Sequence, residues 1–197
     1  MSTPFLITAR LKSTRLPRKI MLEVVGKPLI VHMLDRIKHS THIEDIVICT
    51  STNSQDDPLE EIAEKEHVHC FRGSEDDVLE RLLGAAKFYD MSNFANITAD
   101  CPLIDPYLID RAVEEYERVN ADLVMYDDSN SDIPFNCYVL KVSALEKICD
   151  LKKETDTEVW LNYFKTHESL IHSINVEDKY RHNSLKTSLD YPEDYEF

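Results

Sequence analysis

A chain of 197 residues is long enough to bury a proper core and is most simply a single domain. The formal net charge of -15 excludes general binding to nucleic acid or to an anionic membrane, because both need a positively charged face. No apolar run approaches the length of a membrane span, and the N-terminus lacks the pattern of a signal peptide. Five scattered cysteines without a C-x-x-C pair are typical of reduced thiols, so we expect a cytoplasmic protein.

Residues 5–7 form an apolar run of the size of a short buried strand, and residues 8–19, the basic loop, follow it directly. The basic loop carries five cationic side chains: Arg10, Lys12, Arg15, Arg18 and Lys19. A positive loop at the C-terminal end of a strand is where open α/β sheets bind ligands, and these groups suit a polyphosphate. The chain has only three glycines, which excludes a Walker A loop, so side-chain cations must hold the phosphates. The alternative interpretation is a solvated basic loop.

Strands and helices alternate through the first 126 residues. The predicted strands are 5–7, 46–49, 68–71, 94–98 and 121–126. The predicted helices are 28–37, 56–63, 74–86 and 106–119. The third helix begins at a capping box formed by Ser74 and Asp77, and Gly84 inside it indicates close packing. This alternation is typical of an α/β fold with a mostly parallel sheet covered on both faces.

The pattern changes after Tyr126. Residues 134–140 are an apolar run with a proline at its start, which predicts an edge strand. Helices are predicted over 142–151 and 155–164, and strands over 170–176 and 184–189. Because no repeat or linker interrupts the chain, we expect one compact unit.

Two aspartates stand out from a surplus of carboxylates. Asp100 and Asp190 each follow an apolar predicted strand and precede a turn that contains proline. Two such carboxylates brought together could hold Mg²⁺, a hard cation that prefers oxygen ligands. Taken singly, either aspartate is equally well interpreted as a helix cap or a solvated turn.

Other polar and aromatic clusters have plainer interpretations. We interpret Asp56-Asp57 and the acidic run 75–77 as caps or solvated turns. Trp160, with other aromatic residues, is interpreted as core or interface rather than as a platform for stacking a base.

Five segments resemble the ordered motifs of the cytidylyltransferases. In chain order they are A-R-L-K-S-T-R-L-P-R-K, V-G-K-P-L-I, F-R-G-S-E-D-D-V-L-E-R, I-T-A-D-C-P-L-I-D and L-D-Y-P-E-D. The pattern is most similar to the spore-coat-polysaccharide-type branch, which is related to the enzymes that make CMP-Kdo and CMP-sialic acid. The match runs from residue 5 to about 110 and returns at the C-terminus. Each motif alone is weak, but five in the right order are specific for the family.

The resemblance implies roles for residues of the basic loop. Arg10 and Lys19 fall on the arginine and lysine that bind the triphosphate, with Ser13 and Arg15 in the same loop. Ala9 falls where the backbone approaches the nucleotide base.

The resemblance also assigns the metal and nucleoside contacts. Asp100 matches the family's first magnesium aspartate and Asp190 the second. Arg81 and Thr98 lie where relatives contact the nucleoside. The catalytic group implied is therefore Arg10, Lys19 and Asp100.

The implied fold is a Rossmann-like nucleotidyltransferase domain, similar to the GT-A type, with three layers and a mostly parallel central sheet. Residues 1–197 form one domain, in which 1–126 bind the nucleotide and 127–183 form the acceptor and dimer part. Residues 184–197 supply the last strand with the second metal aspartate. Two departures from the family pattern are Lys12 and Arg18, which stand where relatives usually have glycine.

The activity implied is Mg²⁺-dependent transfer of CMP from CTP to a small acidic acceptor, with release of pyrophosphate, in cell-surface glycan or related biosynthesis. The acceptor is a sugar acid or a phosphate or phosphonate compound, and a homodimer is expected. The cations that could bind the acceptor are Lys141, Lys152, Lys153 and Arg181. Alternatives remain another nucleotidyltransferase or glycosyltransferase of the same fold, or a nucleotide-binding subunit without catalytic activity.

Overall fold

The structure of the protein, a computed structural model, describes residues 2–127, 137–166, 169–175 and 187–196. The strands in this part of the chain are β1 (Phe5–Thr8), β2 (Glu23–Val24), β3 (Lys27–Pro28), β4 (Ile46–Ser51), β5 (His69–Gly73), β6 (Asn93–Thr98), β7 (Leu123–Tyr126), β8 (Tyr138–Lys141) and β9 (Ile171–Ile174). The α-helices are α1 (Leu29–Ile37), α2 (Asp57–Lys65), α3 (Val78–Phe88), α4 (Pro106–Arg118), α5 (Val142–Leu151) and α6 (Leu161–Thr166).

Seven strands form one central sheet in the order β5-β4-β1-β6-β8-β7-β9. β1 pairs in parallel with β4 on one side and β6 on the other, and β8 pairs antiparallel with both its neighbours. The chain steps outward from β1 to β4 and β5, then returns to the other side of β1 as β6. The crevice at the carboxyl ends of β1 and β6 is therefore the switch point where sheets of this kind bind ligands.

Helices cover both faces of the sheet, which confirms the predicted α/β class with three layers. One core contains apolar residues of α1, α2 and α4, and the other contains those of α3, α5 and α6. Alternate residues of β1 enter opposite cores, with Phe5 and Ile7 on one side and Leu6 on the other. Within the described segments, no helix has the length and apolar content needed to cross a lipid bilayer.

Several predicted elements differ from those observed. β8 is not an edge strand, because it lies between β6 and β7 near the middle of the sheet. Pro134, at the start of the strand predicted over 134–140, lies outside the described residues. The helix predicted over 155–164 begins only at Leu161, since Thr157 hydrogen bonds to neighbouring elements instead of to a helical turn. Residues 187–189 are not in a strand, and 184–186 lie outside the described residues.

The start of α3 also differs from the prediction. Asp77, rather than Ser74, is the N-cap residue, and its carboxylate accepts a hydrogen bond from Glu80 N at 3.1 Å. Ser74 Oγ instead accepts from Asp77 N at 3.1 Å within the preceding turn. The close packing predicted at Gly84 is confirmed, because a Cβ there would lie 2.9 Å from Phe71 Cζ.

The hairpin of β2 and β3 was not predicted from the sequence. Its two turn residues, Val25 and Gly26, have φ values of 51° and 71°, as a tight two-residue hairpin loop requires. Asn-Gly or Asp-Gly is the usual signal for this turn, and Val25 is a β-branched residue that rarely adopts positive φ. The hairpin contacts residues 187–196, the C-terminal segment, through Tyr195, whose hydroxyl donates to Glu23 O at 2.5 Å.

Candidate active site

A cavity of about 400 Å³ opens at the carboxyl ends of β1 and β6, beneath the basic loop. The predicted site residues that line it are Ala9, Arg10, Ser13, Arg15, Lys19, Arg81, Thr98 and Asp100. The cavity is also lined by residues that were not predicted as site residues from the sequence, notably Thr8, Val78, Glu158 and Trp160. The structure therefore brings the sequence-predicted nucleotide residues together in one place.

The basic loop leaves β1 as an ordered turn. Ala9 N donates to Cys49 O at 3.0 Å, which continues the pairing of β1 with β4 for one residue. Ser13 Oγ accepts a hydrogen bond from Leu16 N at 3.2 Å. Arg18 has a φ of 55°, in the left-handed region, and leads into a 3₁₀ turn over Lys19–Met21. A glycine, which the family resemblance implies at this position, would adopt that conformation without strain.

Lys19 joins the two predicted metal aspartates. Its ammonium lies 2.6 Å from Asp100 Oδ2 and 3.3 Å from Asp190 Oδ1, and its side chain is only 12% exposed. Thr98 Oγ1 donates to Asp100 Oδ1 at 2.5 Å, and Ser188 Oγ donates to Asp190 Oδ2 at 3.0 Å. Each carboxylate is thus oriented by one hydroxyl and faces the same ammonium. Thr98, expected at the nucleoside, uses its hydroxyl on Asp100.

The C-terminal segment carries Asp190 to this point. Leu189 N donates to Asp100 O at 2.8 Å, which fixes the segment beside the end of β6. The Asp194 carboxylate accepts from Asp190 N at 2.8 Å and from Tyr191 N at 2.9 Å. These contacts explain why two aspartates 90 residues apart in the sequence meet, although the last strand predicted before Asp190 is absent from residues 187–189.

Arg15 covers the outer side of the carboxylate pair. Its guanidinium lies 3.1 Å from Asp190 Oδ1 and its Cζ lies 5.3 Å from the centre of the Tyr191 ring. A hydrogen bond with Tyr191 and the charge of Asp190 raise the pKa of Arg15 above its ordinary value. Arg15 therefore remains charged and attached to the C-terminal segment.

The other two cations of the basic loop that line the cavity, Arg10 and Lys12, face carboxylates on the opposite wall. Arg10 Nη2 lies 2.8 Å from Glu158 Oε1, and Arg10 Nη1 lies 3.9 Å from Asp76 Oδ1. Lys12 Nζ lies 3.4 Å from Glu75 and 3.8 Å from Asp76. Arg10 and Lys12 are thus neutralised by acidic side chains of the protein itself.

Arg81 is buried in the floor of the cavity, with only 1% of its surface exposed. Its Nη1 donates to Ser74 O and to Glu75 O. In the part of the chain that the structure describes, Arg81 Nε and Nη2 have no hydrogen-bond partner. Burial, together with the nearby charge of Arg10, lowers the pKa of Arg81. A buried guanidinium with two unused donors strongly favours a ligand that presents acceptor atoms.

The wall that carries Glu158 and Trp160 is anchored to α3 by a buried polar cluster. Asp77, which is 2% exposed, accepts from Lys152 Nζ and from Thr157 Oγ1, the latter at 2.9 Å. Thr157 Oγ1 also accepts from Leu79 N at 3.0 Å. Trp160 is 5% exposed, so it belongs to the core, as interpreted from the sequence, and to the cavity wall as well.

The cations expected to bind an acceptor are scattered. Lys141 pairs in register with Asn93, at the end of β6 opposite to the cavity. Lys152 is held by Asp77, and its side chain is 10% exposed. Lys153 and Lys152 line a second cavity of about 660 Å³, which shares Glu158 with the candidate active site. Arg181 lies outside the described residues. For Lys141 the expectation is wrong. Because β8 runs antiparallel to β6, Lys141 lies at the end of the sheet opposite to the cavity.

The donor set of this site suits magnesium. Among the described residues there is no group of three or more His, Cys, Asp or Glu side chains that could hold a metal ion. The two oxygen donors that do converge are Asp100 and Asp190, on either side of Lys19. Mg²⁺ is usually held by one or two carboxylates and completes its coordination with water and substrate phosphates. Two carboxylates beside a cavity of about 400 Å³ that is lined by cations therefore fit this ion.

Comparisons with known proteins agree with this geometry. The chain matches the cytidylyltransferase family over residues 5–196. A solved cytidylyltransferase structure from Leptospira borgpetersenii serovar Hardjo-bovis has a TM-score of 0.89 at 30% identity, covering 100% of this chain and 84% of that one. The spore coat polysaccharide biosynthesis protein SpsF of Bacillus subtilis is 27% identical over 201 residues, which are 98% of this chain and 82% of that protein.

A further relative, an uncharacterized protein of Methanocaldococcus jannaschii, is 35% identical over 149 residues. The matched region is 76% of this chain and 60% of that protein, so the chain spans less than two thirds of this relative's length. The fold and the matches define a nucleotidyltransferase. More particularly, the chain belongs to the cytidylyltransferase family.

Proposed function

We propose that the protein is a Mg²⁺-dependent cytidylyltransferase that transfers CMP from CTP to a small acidic acceptor and releases pyrophosphate. The observation that carries this proposal is the convergence of Lys19, Asp100 and Asp190 at the edge of a cavity lined by cations. Family membership supports the reaction class, and the following contacts support the assignment of individual residues.

Arg81 accounts for a preference for cytosine. Its free Nε and Nη2 are adjacent, parallel donors that need two adjacent acceptors. The O2 and N3 atoms of cytosine are such a pair, whereas N3 of uracil carries a hydrogen and would face a donor. Leaving a buried donor unpaired costs about 1–3 kcal/mol, which corresponds to a preference of roughly five-fold to 150-fold for cytosine over uracil.

In the proposed reaction, an acceptor oxygen attacks the α-phosphorus of CTP in line. A new P–O bond forms, the bond from the α-phosphorus to the bridging oxygen breaks, and pyrophosphate leaves with the negative charge. If the attacking group is a hydroxyl, its proton passes to solvent. Arg10, Lys12 and Lys19 neutralise the departing pyrophosphate, and no protein nucleophile takes part.

Asp100 and Asp190 are the residues that would hold Mg²⁺ in this proposal. The ion supplies positive charge to the phosphate oxygens as negative charge develops there. Hydrogen bonds from the hydroxyls of Thr98 and Ser188 hold the carboxylates of Asp100 and Asp190 in their orientations. Lys19 leaves the carboxylates and turns to the phosphates.

We propose a sugar acid, or a phosphate or phosphonate compound, as the acceptor, and a homodimer in the cytoplasm as the working form. These assignments rest on the family resemblance, and the name of the Bacillus subtilis relative supports a role in cell-surface polysaccharide synthesis. Residues 127–183 remain our proposal for the acceptor part.

Calorimetry of CTP binding with and without Mg²⁺, against UTP and ATP, tests the nucleotide assignment. Pyrophosphate release with a panel of sugar acids and phosphate compounds then tests the reaction. We expect Mg²⁺-dependent, CTP-selective binding, and at least about a 100-fold loss of kcat/KM in Lys19→Ala and Asp100→Ala. The exposed residues Lys65 and Asp150 supply matched controls, Lys65→Ala and Asp150→Ala, with unchanged activity.

Selective binding of UTP or of a UDP-sugar would instead indicate another transferase of the same fold. Binding of CTP without pyrophosphate release from any acceptor would indicate a non-catalytic nucleotide-binding subunit. Full activity in Asp100→Ala would refute the proposed metal site.

A further inference from the structure

Asp56 is a fully buried carboxylate next to the site, with none of its surface exposed to solvent. It lies in the 3₁₀ turn between β4 and α2, at the N-cap position of α2. From the sequence we interpreted it as a helix cap or a solvated turn residue. Neither interpretation holds, because Asp56 is buried and its side chain makes no capping hydrogen bond to α2.

The two oxygens of Asp56 are used elsewhere. Oδ1 accepts a hydrogen bond from Leu11 N at 2.7 Å, 45 residues away in the sequence. Oδ2 accepts from Ser51 Oγ, at the end of β4. Ser51 Oγ in turn accepts from Asn53 N at 3.2 Å, which fixes the hydroxyl in place. The carboxylate therefore connects the end of β4 to the backbone of the basic loop.

Leu11 lies in the basic loop, and both of its backbone polar groups are hydrogen bonded. Its side chain is 4% exposed, and its carbonyl oxygen accepts from Arg18 N at 3.3 Å. Its N–H is the group that Asp56 holds. Both polar groups of this residue are thus fixed, between Arg10 and Lys12 on either side of it in the chain.

We propose that Asp56 is a positioning residue for phosphate binding: through Leu11 N it fixes the backbone from which Arg10 and Lys12 project. The inference rests on the proposed function, since it takes the basic loop as the site of the β- and γ-phosphates. A short hydrogen bond from a backbone N–H to a buried carboxylate is among the stronger contacts a loop can have. Burying the Asp56 carboxylate is energetically costly. Because this carboxylate bonds to the basic loop and not to α2, we infer that its role is to hold the loop in position.

The test compares the affinities of CTP and CMP, both measured by calorimetry with Mg²⁺. CMP has the same base, ribose and α-phosphate, but lacks the phosphates that the basic loop would hold. In Asp56→Ala we expect CTP affinity to fall about ten-fold while CMP affinity changes less than about two-fold. Asp56→Asn should retain most of the CTP affinity, because the amide oxygen still accepts from Leu11 N.

Asp57→Ala is the matched control, since Asp57 is the next residue, is exposed and pairs with Arg72 away from the cavity. It should leave both affinities unchanged. A second variant, Ser51→Ala, frees one carboxylate oxygen but keeps the Leu11 contact, so a smaller loss confined to CTP is expected. This variant decides the matter if Asp56→Ala does not fold.

Equal losses of CTP and CMP affinity in Asp56→Ala would overturn the inference, because they would indicate a general structural role or an effect through the charge of nearby Arg81. Unchanged CTP affinity in Asp56→Ala, or in Ser51→Ala where that variant decides, would overturn it as well. A wild-type protein that does not prefer CTP to CMP would contradict the proposed function itself, and the two failures are therefore distinguishable.

Discussion

Single residues show how charges of the basic loop are balanced by carboxylates of the protein itself. Arg10, expected from the sequence to bind the triphosphate, is bound instead by Glu158 at 2.8 Å. The two side chains are 23% and 65% exposed, so the pair is only partly shielded from solvent. Under the proposed function, a triphosphate that uses Arg10 has to displace Glu158, so we expect this ion pair to weaken nucleotide binding.

We therefore expect Glu158→Gln to bind CTP two- to five-fold more tightly than the wild type, the range of an exposed ion pair. CMP affinity should not change, because CMP does not reach Arg10 in the proposed binding mode. The gain should shrink as salt is raised, since exposed charges are screened. Calorimetry at two salt concentrations measures both effects, with Glu154→Gln as the control on the same segment. Equal or weaker CTP binding in Glu158→Gln would contradict the competition.

At the scale of elements, α3 has to approach the sheet closely, because it carries Arg81 to the floor of the cavity. Gly84 allows this approach, with Phe71 of β5 against it. The same glycine was recognisable from the sequence, since a glycine inside an apolar helical pattern has a cost that close packing explains.

Gly84→Ala should therefore destabilise the protein by about 1–2 kcal/mol, because the overpacking against Phe71 exceeds the gain in helix propensity. In a Phe71→Leu background the ring atoms nearest to the new methyl group are gone. There the same substitution should stabilise by up to about 1 kcal/mol. Urea unfolding of the four proteins measures the change of sign. A destabilisation that is the same in both backgrounds would show that Phe71 is not the cause.

The elements also show where sequence patterns succeed and fail. The buried parallel strands β1 and β4 begin with continuous apolar runs, so they were predicted to within a residue or two. The position of β8 within the sheet was not predictable, because pairing order depends on contacts that periodicity does not encode. The β2–β3 hairpin was missed because Val25 does not have the sequence signature of its turn.

The candidate site follows the same division. Motif spacing identified Asp100, Asp190 and Lys19, and the fold brings them together. Asp56 was misinterpreted because acidic residues before a proline-containing helix usually cap it. Only burial and the bond to Leu11 N reveal its different use. Glu158 and Thr157 carried no local signal at all.

At the scale of the whole molecule, the net charge of -15 means that the stability of the folded protein depends on hydrogen bonds and ion pairs to its carboxylates. Asp110 of α4 illustrates one way. Burial alone would raise its pKa, but hydrogen bonds donated by Ser40 Oγ, Thr41 and His42 N hold the pKa below its ordinary value. These bonds attach the end of α1 to α4.

A depressed pKa in the folded state stabilises the protein at pH values above the unfolded pKa of about 3.9. That contribution is lost as the pH falls through the lower folded value. Asp110→Asn should therefore unfold more easily than the wild type at pH 7, by on the order of 1 kcal/mol, with a difference that narrows below pH 4. Urea unfolding at pH 7, 5 and 3 measures this. A difference independent of pH would assign the loss to packing instead of charge.

The bridge from Lys19 to Asp100 and Asp190 also bears on the order of events in a catalytic cycle. In the proposed function, the Lys19 ammonium is an internal counterion of the two carboxylates, and we expect it to lower their attraction for a free divalent ion. In that proposal, a triphosphate would offer Lys19 a new partner and would carry the metal with it. We therefore expect metal and nucleotide to enter as one complex in a single exchange of counterions. The same lysine would return to the carboxylates when pyrophosphate departs, which resets the site for the next turnover.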